Sequence, residues 1–110
     1  MRRAWLSLLA LAACYGPETF DEDYDLAFCE KVFECEDADA LPYLPYESSE
    51  DCVAFRATQR EEQGGTADNE ECEYDANLGK QCVEDMTSLP CPSYNSGSFP
   101  SSCVQVCGAE

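Results

Sequence analysis

Cysteine governs what this chain can fold into. Eight of its nine cysteines follow Phe28: Cys29, Cys35, Cys52, Cys72, Cys82, Cys91, Cys103 and Cys107. The apolar material around them is thin, since from Cys14 onward only 15 of 97 residues are Leu, Val or Phe and isoleucine is absent. Over the same stretch four basic residues (Lys31, Arg56, Arg60, Lys80) face 23 acidic ones, a net charge of −19. An apolar share this low with a charge this high is the composition of a disordered chain. Its core cannot offset about 1–2 kcal/mol of backbone entropy per residue. Four disulfides at about 2–4 kcal/mol each tip the balance towards folding. The expectation is a domain that is folded when oxidised and unfolded when reduced.

Zinc is the other partner that eight thiols could hold, and the spacing argues against it. Structural zinc sites bring ligands in close pairs, twice over. Here the gaps between successive cysteines from Cys29 are five, sixteen, nineteen, nine, eight, eleven and three residues, and there is no histidine. No Cys-x-x-Cys occurs, so a thioredoxin-like redox role has no motif to stand on.

The ninth cysteine belongs to a different pattern. Met1-Arg2-Arg3-Ala4-Trp5-Leu6-Ser7-Leu8-Leu9-Ala10 is a charged start followed by an apolar run, and Leu11-Ala12-Ala13-Cys14 sets small residues against a thiol. The apolar run is about half of the roughly 20 residues that a spanning helix needs. The Arg2-Arg3 pair reads as ordinary leader charge, because twin-arginine export carries folded cargo and a disulfide-dependent domain folds after export. Setting Cys14 aside leaves an even number of cysteines, as complete pairing in an oxidising compartment requires. Leu11-Ala12-Ala13-Cys14 resembles the lipobox of bacterial lipoproteins. That resemblance implies lipid transfer to the Cys14 sulfur, cleavage after Ala13 and acylation of the new N-terminus. It divides the chain into a signal peptide (1–13), a lipidated tether (14–23) and a cysteine-rich domain (24–110). Tyr15, rather than aspartate, after the acylated cysteine resembles lipoproteins sorted to the outer membrane, at its periplasmic face or on the cell surface.

The rest reads as helices separated by loops. Asp23 to Glu36 carries Tyr24, Phe28 and Val32 at four-residue intervals, with acids at its start to suit the helix dipole. Cys29 and Cys35 point in different directions and are expected to fasten this helix to different neighbours. In Asp37 to Glu47, Pro42 and Pro45 forbid a regular helix. Leu41, Tyr43, Leu44 and Tyr46 there are open to two readings: an exposed aromatic-aliphatic binding loop, or a lid in which the leucines and one tyrosine fill the core. Ser48 or Ser49 caps a second helix that stops at Gly64-Gly65, and its Arg56 and Arg60 are expected to pair along it with glutamates. Asp75 caps a third helix, Ala76 to about Ser88, with Leu78, Cys82, Val83 and Met86 turned inward. Ser93 to Phe99 reads as a loop, and Ser101 or Ser102 as the cap of a last turn. The fold class is all-α: a small disulfide-rich bundle of three helices plus a short C-terminal turn, with long irregular loops. By proximity, Cys35–Cys52 and Cys82–Cys91 are the favoured bridges.

The chemistry such a chain excludes is informative. Without histidine, Ser–His and Cys–His dyads cannot form, and so many acids make a close carboxylate pair uninformative, so no catalytic residue is assigned and no enzyme is expected. The charge excludes nucleic acid as a direct partner. Asp21-Glu22-Asp23-Tyr24-Asp25 opens like a calcium loop, but Leu26 and Val32 stand where glycine and glutamate are needed. A solvated acidic surface is the simpler reading, and no metal or cofactor is assigned. Phe28-Cys29 to Cys35, Ser49-Glu50-Asp51-Cys52, Tyr74-Asp75 ahead of Cys82-Val83, and the closing Cys91, Cys103 and Cys107 resemble small cysteine-rich myxobacterial lipoproteins of unknown function. The functional expectation is a non-catalytic protein-binding or structural module held on the membrane by acylated Cys14, with an envelope or extracellular protein as partner. A cation-binding (calcium) surface protein is the alternative.

Overall fold

A computed structural model of the protein describes residues 15–63, 67 and 71–108. They form an all-helical arrangement: α1 (Pro17–Cys35), a 3₁₀ turn (Leu41–Tyr43), α2 (Ser49–Glu62), α3 (Ala76–Thr87), α4 (Cys91–Ser96) and α5 (Ser101–Val104). The long α1 packs along both α2 and α3 and receives α4, while α5 lies on α3. The disulfide-rich helical bundle expected from the sequence is the fold observed.

Local chemistry explains most of the boundaries. Ser48 accepts a hydrogen bond from the Asp51 N–H at 3.1 Å, and Asp75 accepts one from the Leu78 N–H at 3.0 Å; each satisfies an otherwise orphaned first-turn donor. The Gly64-Gly65 stop lies outside the described residues, with α2 complete at Glu62. The start of α1 differs from expectation. Gly16-Pro17 is a helix opening and not a tether: Gly16 is the N-cap, and the fixed φ of Pro17 suits the first helical position. Residues 17–23, expected to belong to the tether, are therefore helical, and Phe20 and Asp21 among them are buried.

Two further differences lie near the C-terminus. Residues 91–96, expected in part as loop, form α4, because Pro92 fits the first turn of a helix and Gly97 ends it at φ 77°, a left-handed conformation natural to glycine. The last turn is opened by Pro100 rather than by a serine. Ser102 is buried instead, and its hydroxyl donates to Asp85 at 2.8 Å, pinning α5 to α3.

All eight cysteines beyond Cys14 pair: Cys29–Cys52, Cys35–Cys91, Cys72–Cys107 and Cys82–Cys103. The two bridges favoured by proximity do not form. Cys29 shares the inward face of α1 with Asp25 and Val32 and meets Cys52 in the first turn of α2, whereas Cys35, at the end of α1, meets the start of α4. Cys82 lies mid-helix, wholly buried, and turns towards α5 rather than towards Cys91. As expected, Cys29 and Cys35 tie α1 to different neighbours.

The cysteines are themselves core material. Cys29, Cys52 and Cys82 have no exposed surface, and only Met86 and Val32 among the larger described apolar side chains are buried comparably. A cluster of Phe20, Ala27, Cys82, Met86, Leu89 and Val106 fills the α1–α3 interface, with Leu78 and Val83 packed against it. Gly79 makes the close approach there possible: a Cβ at this position would stand 2.7 Å from the Tyr74 hydroxyl and 3.2 Å from a Phe20 ring carbon.

Burial ranks the bridges by access. Cys107 is exposed and Cys72 half-buried, whereas Cys29 and Cys52 are sealed. Graded reduction without denaturant, followed by alkylation and peptide mapping, is expected to open Cys72–Cys107 first and Cys29–Cys52 last. Full reduction is expected to abolish the helical circular dichroism.

Candidate functional site

α1 and α2 are joined by charge as well as by sulfur. Asp21 and Asp25 are one turn apart on α1, and Arg56 and Arg60 one turn apart on α2. Arg56 donates through Nε to Asp25 at 2.9 Å; Arg60 Nη1 donates to the other Asp25 oxygen, and its Nε lies 3.8 Å from Asp21. The Ala67 N–H donates to Asp21 at 3.3 Å. The Asp25 side chain is only 2 % exposed, so both its oxygens exchange water for a guanidinium. The Arg56 guanidinium also stands 4.2 Å from the centre of the Phe28 ring, a cation–π contact. Burial pulls the Arg60 pKa down, but the hydrogen bond and charge of Asp25, with Asp21 and Glu22, outweigh it and hold the group above its ordinary value. Burial raises the Tyr24 phenol, Arg56 beside it opposes the rise, and Asp25 adds to it.

This network corrects the expectation that Arg56 and Arg60 pair along their own helix. The signal was present in the sequence: two of only four cations after Cys14 repeat at four-residue spacing, as do Asp21 and Asp25. What the sequence lacked was the side-by-side alignment of α1 and α2. A cleft of about 580 Å³ opens at the network, lined also by Phe20, Tyr24, Phe55, Gln59 and Val106. Its described carboxylates, Asp21 and Asp25, face Arg56 and Arg60, so the described lining is aromatic and charge-balanced.

The Leu41–Tyr46 segment divides its two readings by residue. Tyr46 is half-buried and packs between Phe33 and Phe55, ring centres 6.1 and 5.6 Å away, so it serves the lid. Leu41 and Leu44 are likewise half-buried. Tyr43, in the 3₁₀ turn, is 89 % exposed and stands clear of the body.

At the other end of α1, Tyr15 is fastened down. Its hydroxyl donates to Asp23 at 3.1 Å, its carbonyl accepts from the Tyr74 hydroxyl at 3.2 Å, and Lys80 Nζ stands 5.6 Å from its ring centre. Burial, then the Asp23 hydrogen bond, raise the Tyr15 pKa; burial and the acids Asp21, Asp75 and Asp23 raise that of Tyr74. Tyr94 behaves alike, donating to Glu36 at 2.9 Å. Cys14 and the lipobox lie outside the described residues.

Among the described residues, the one convergence of metal-ligand types is Glu34 with Cys35 and Cys91, and those sulfurs are joined as a disulfide. A disulfide sulfur is not the thiolate that metals take. No described helix is long and apolar enough to cross a membrane.

Two tests bear on this region. Asp25→Ala leaves two arginines facing an uncompensated partly buried site and is expected to cost about 3 kcal/mol in denaturant unfolding, near the lower end for broken buried pairs. Tyr15, Tyr74 and Tyr94 have folded pKa values above their ordinary 10.0. The folded state therefore holds their protons longer than the unfolded one, and their contribution, complete below pH 10, is lost as the pH rises above it. Thermal melts across that range are expected to show a falling midpoint, and Tyr94→Phe a shallower fall. Comparison with protein-family models, curated proteins and solved structures finds no match for the chain.

Proposed function

We propose that the protein is a lipid-anchored envelope lipoprotein whose disulfide-stapled helical domain works without catalysis, by presenting a contact surface to another envelope or extracellular protein. The observation that carries this reading is Tyr43, 89 % exposed on a turn whose neighbour Tyr46 is held by Phe33 and Phe55. An exposed tyrosine on an ordered support binds at low entropic cost, since few rotamers remain to be fixed. The charge of −19 from Cys14 onward favours a basic partner face and disfavours nucleic acid. Attachment through Cys14 rests on the Leu11-Ala12-Ala13-Cys14 motif, and two or more acyl chains suffice to hold a domain whose described helices are not long and apolar enough to span a membrane. The proposed anchor and the disulfides together support an oxidising space outside the cytoplasm as the compartment, and Tyr15 after Cys14 favours the outer membrane.

The reading divides Tyr43 from Tyr46. A photo-crosslinking side chain at position 43, in the full chain expressed in its own envelope, is expected to give a discrete protein adduct, whereas one at exposed Thr87 on α3 is not. Tyr43→Ser is expected to remove capture and leave the melting temperature unchanged, while Tyr46→Ser lowers the melting temperature. Absence of any adduct specific to position 43 removes the loop from the proposal.

A further inference from the structure

Only one peptide bond separates Cys14 from Tyr15, and Tyr15 is part of the folded body. Its carbonyl and hydroxyl are both hydrogen-bonded, to Tyr74 and Asp23, and α1 begins two residues later. An acyl anchor on Cys14 therefore has no tether: it attaches at a fixed point on the domain, beside the ends of α1 and α3. Lys80 adds a second observation at that point. Among the described residues Lys31 pairs with Glu34, and Arg56 and Arg60 pair with Asp25 and Asp21. Lys80 is exposed, makes no ion pair with a described residue, and stands over the Tyr15 ring. Glu18, Asp23 and Asp75 lie at the same end, so the orientation comes from the docked backbone and not from net attraction.

We infer that this end of the domain, built from Tyr15, Tyr74 and Lys80, rests on the membrane interface, with α1 directed away from the bilayer and the Tyr43 turn at the distal end. The inference rests on the lipid anchor proposed above. An amphipathic tyrosine and a lysine able to extend its ammonium to lipid phosphate are the side chains that interfaces accommodate. The 19 residues of α1 rise about 28 Å from the moored end, and the contact turn follows the far end of that helix.

Fluorescence quenching reads this directly, because the sole tryptophan, Trp5, precedes Cys14. Acylated full-length product, processed in a bacterial host, is reconstituted into vesicles of phosphatidylethanolamine and phosphatidylglycerol with brominated acyl chains. Tryptophan is introduced singly as Tyr15→Trp, as Asn77→Trp on the exposed α3 surface one turn before Lys80, or as Tyr43→Trp. Emission from the first two is expected to fall severalfold more than emission from Tyr43→Trp, with Asn77→Trp keeping the Tyr15 contacts intact. Acylated protein that shows equal quenching at all three positions, or stronger quenching at position 43, overturns the inference alone. An intact mass showing Cys14 without acyl chains overturns the anchoring reading and this inference with it.

Discussion

Two sulfur atoms and one carboxylate hold the seam between α1 and α2. Cys29 and Cys52 are wholly buried, and Asp25, one turn before Cys29, is held by both arginines of α2. In a chain with so few large aliphatic residues, this seam does what leucine and isoleucine do in ordinary bundles. The sulfur is apolar enough to be core, and its covalent bond removes conformations from the unfolded chain that hydrophobic contacts alone would have to outweigh. The charge network is of a different kind. Burying Asp25 is costly, and two guanidiniums restore what water supplied, so the network selects the pairing of α1 with α2 more than it adds net stability.

The four bridges interlock. Cys29–Cys52 lies within the first half of the domain, and Cys82–Cys103 is nested inside Cys72–Cys107 in the second. Cys35–Cys91 crosses the other three in sequence and is the covalent link between the halves. The packing of α1 against both α2 and α3 is thus reinforced by one bond across its own C-terminal end, while the Tyr15 contacts fasten its start. Both ends of the longest helix are fixed, and the surfaces proposed for membrane and partner flank it: Tyr15 precedes its start and the Tyr43 turn follows its end.

The sequence disclosed what depends on neighbours along the chain. Ser48 and Asp75 were legible as caps because capping is a contact over three residues, and the inward Cys82 and Met86 because helical period alone places them. Gly16-Pro17 was ambiguous, since the same dipeptide serves a linker or a helix start, and only the burial of Phe20 decides between them. α4 is too short for a period to show. The disulfide pairing and the Asp25–Arg56–Arg60 network stayed hidden because both need the relative placement of helices. Eight cysteines alone allow about a hundred pairings. At Leu41–Tyr46 composition marked an aromatic-aliphatic segment, but not which tyrosine turns in and which turns out.

The crossing of Cys35–Cys91 over Cys29–Cys52 has a consequence for biogenesis. Under the export proposed above, a chain delivered from its N-terminus exposes Cys29, Cys35 and Cys52 to oxidant while Cys91 is still to come. During that interval Cys35 has no native mate and competes with Cys29 for Cys52, the closer suitor by sequence. Correct assembly therefore depends on α1 and α2 aligning through Asp25 and its arginines before oxidation, or on an isomerase that undoes the premature bond.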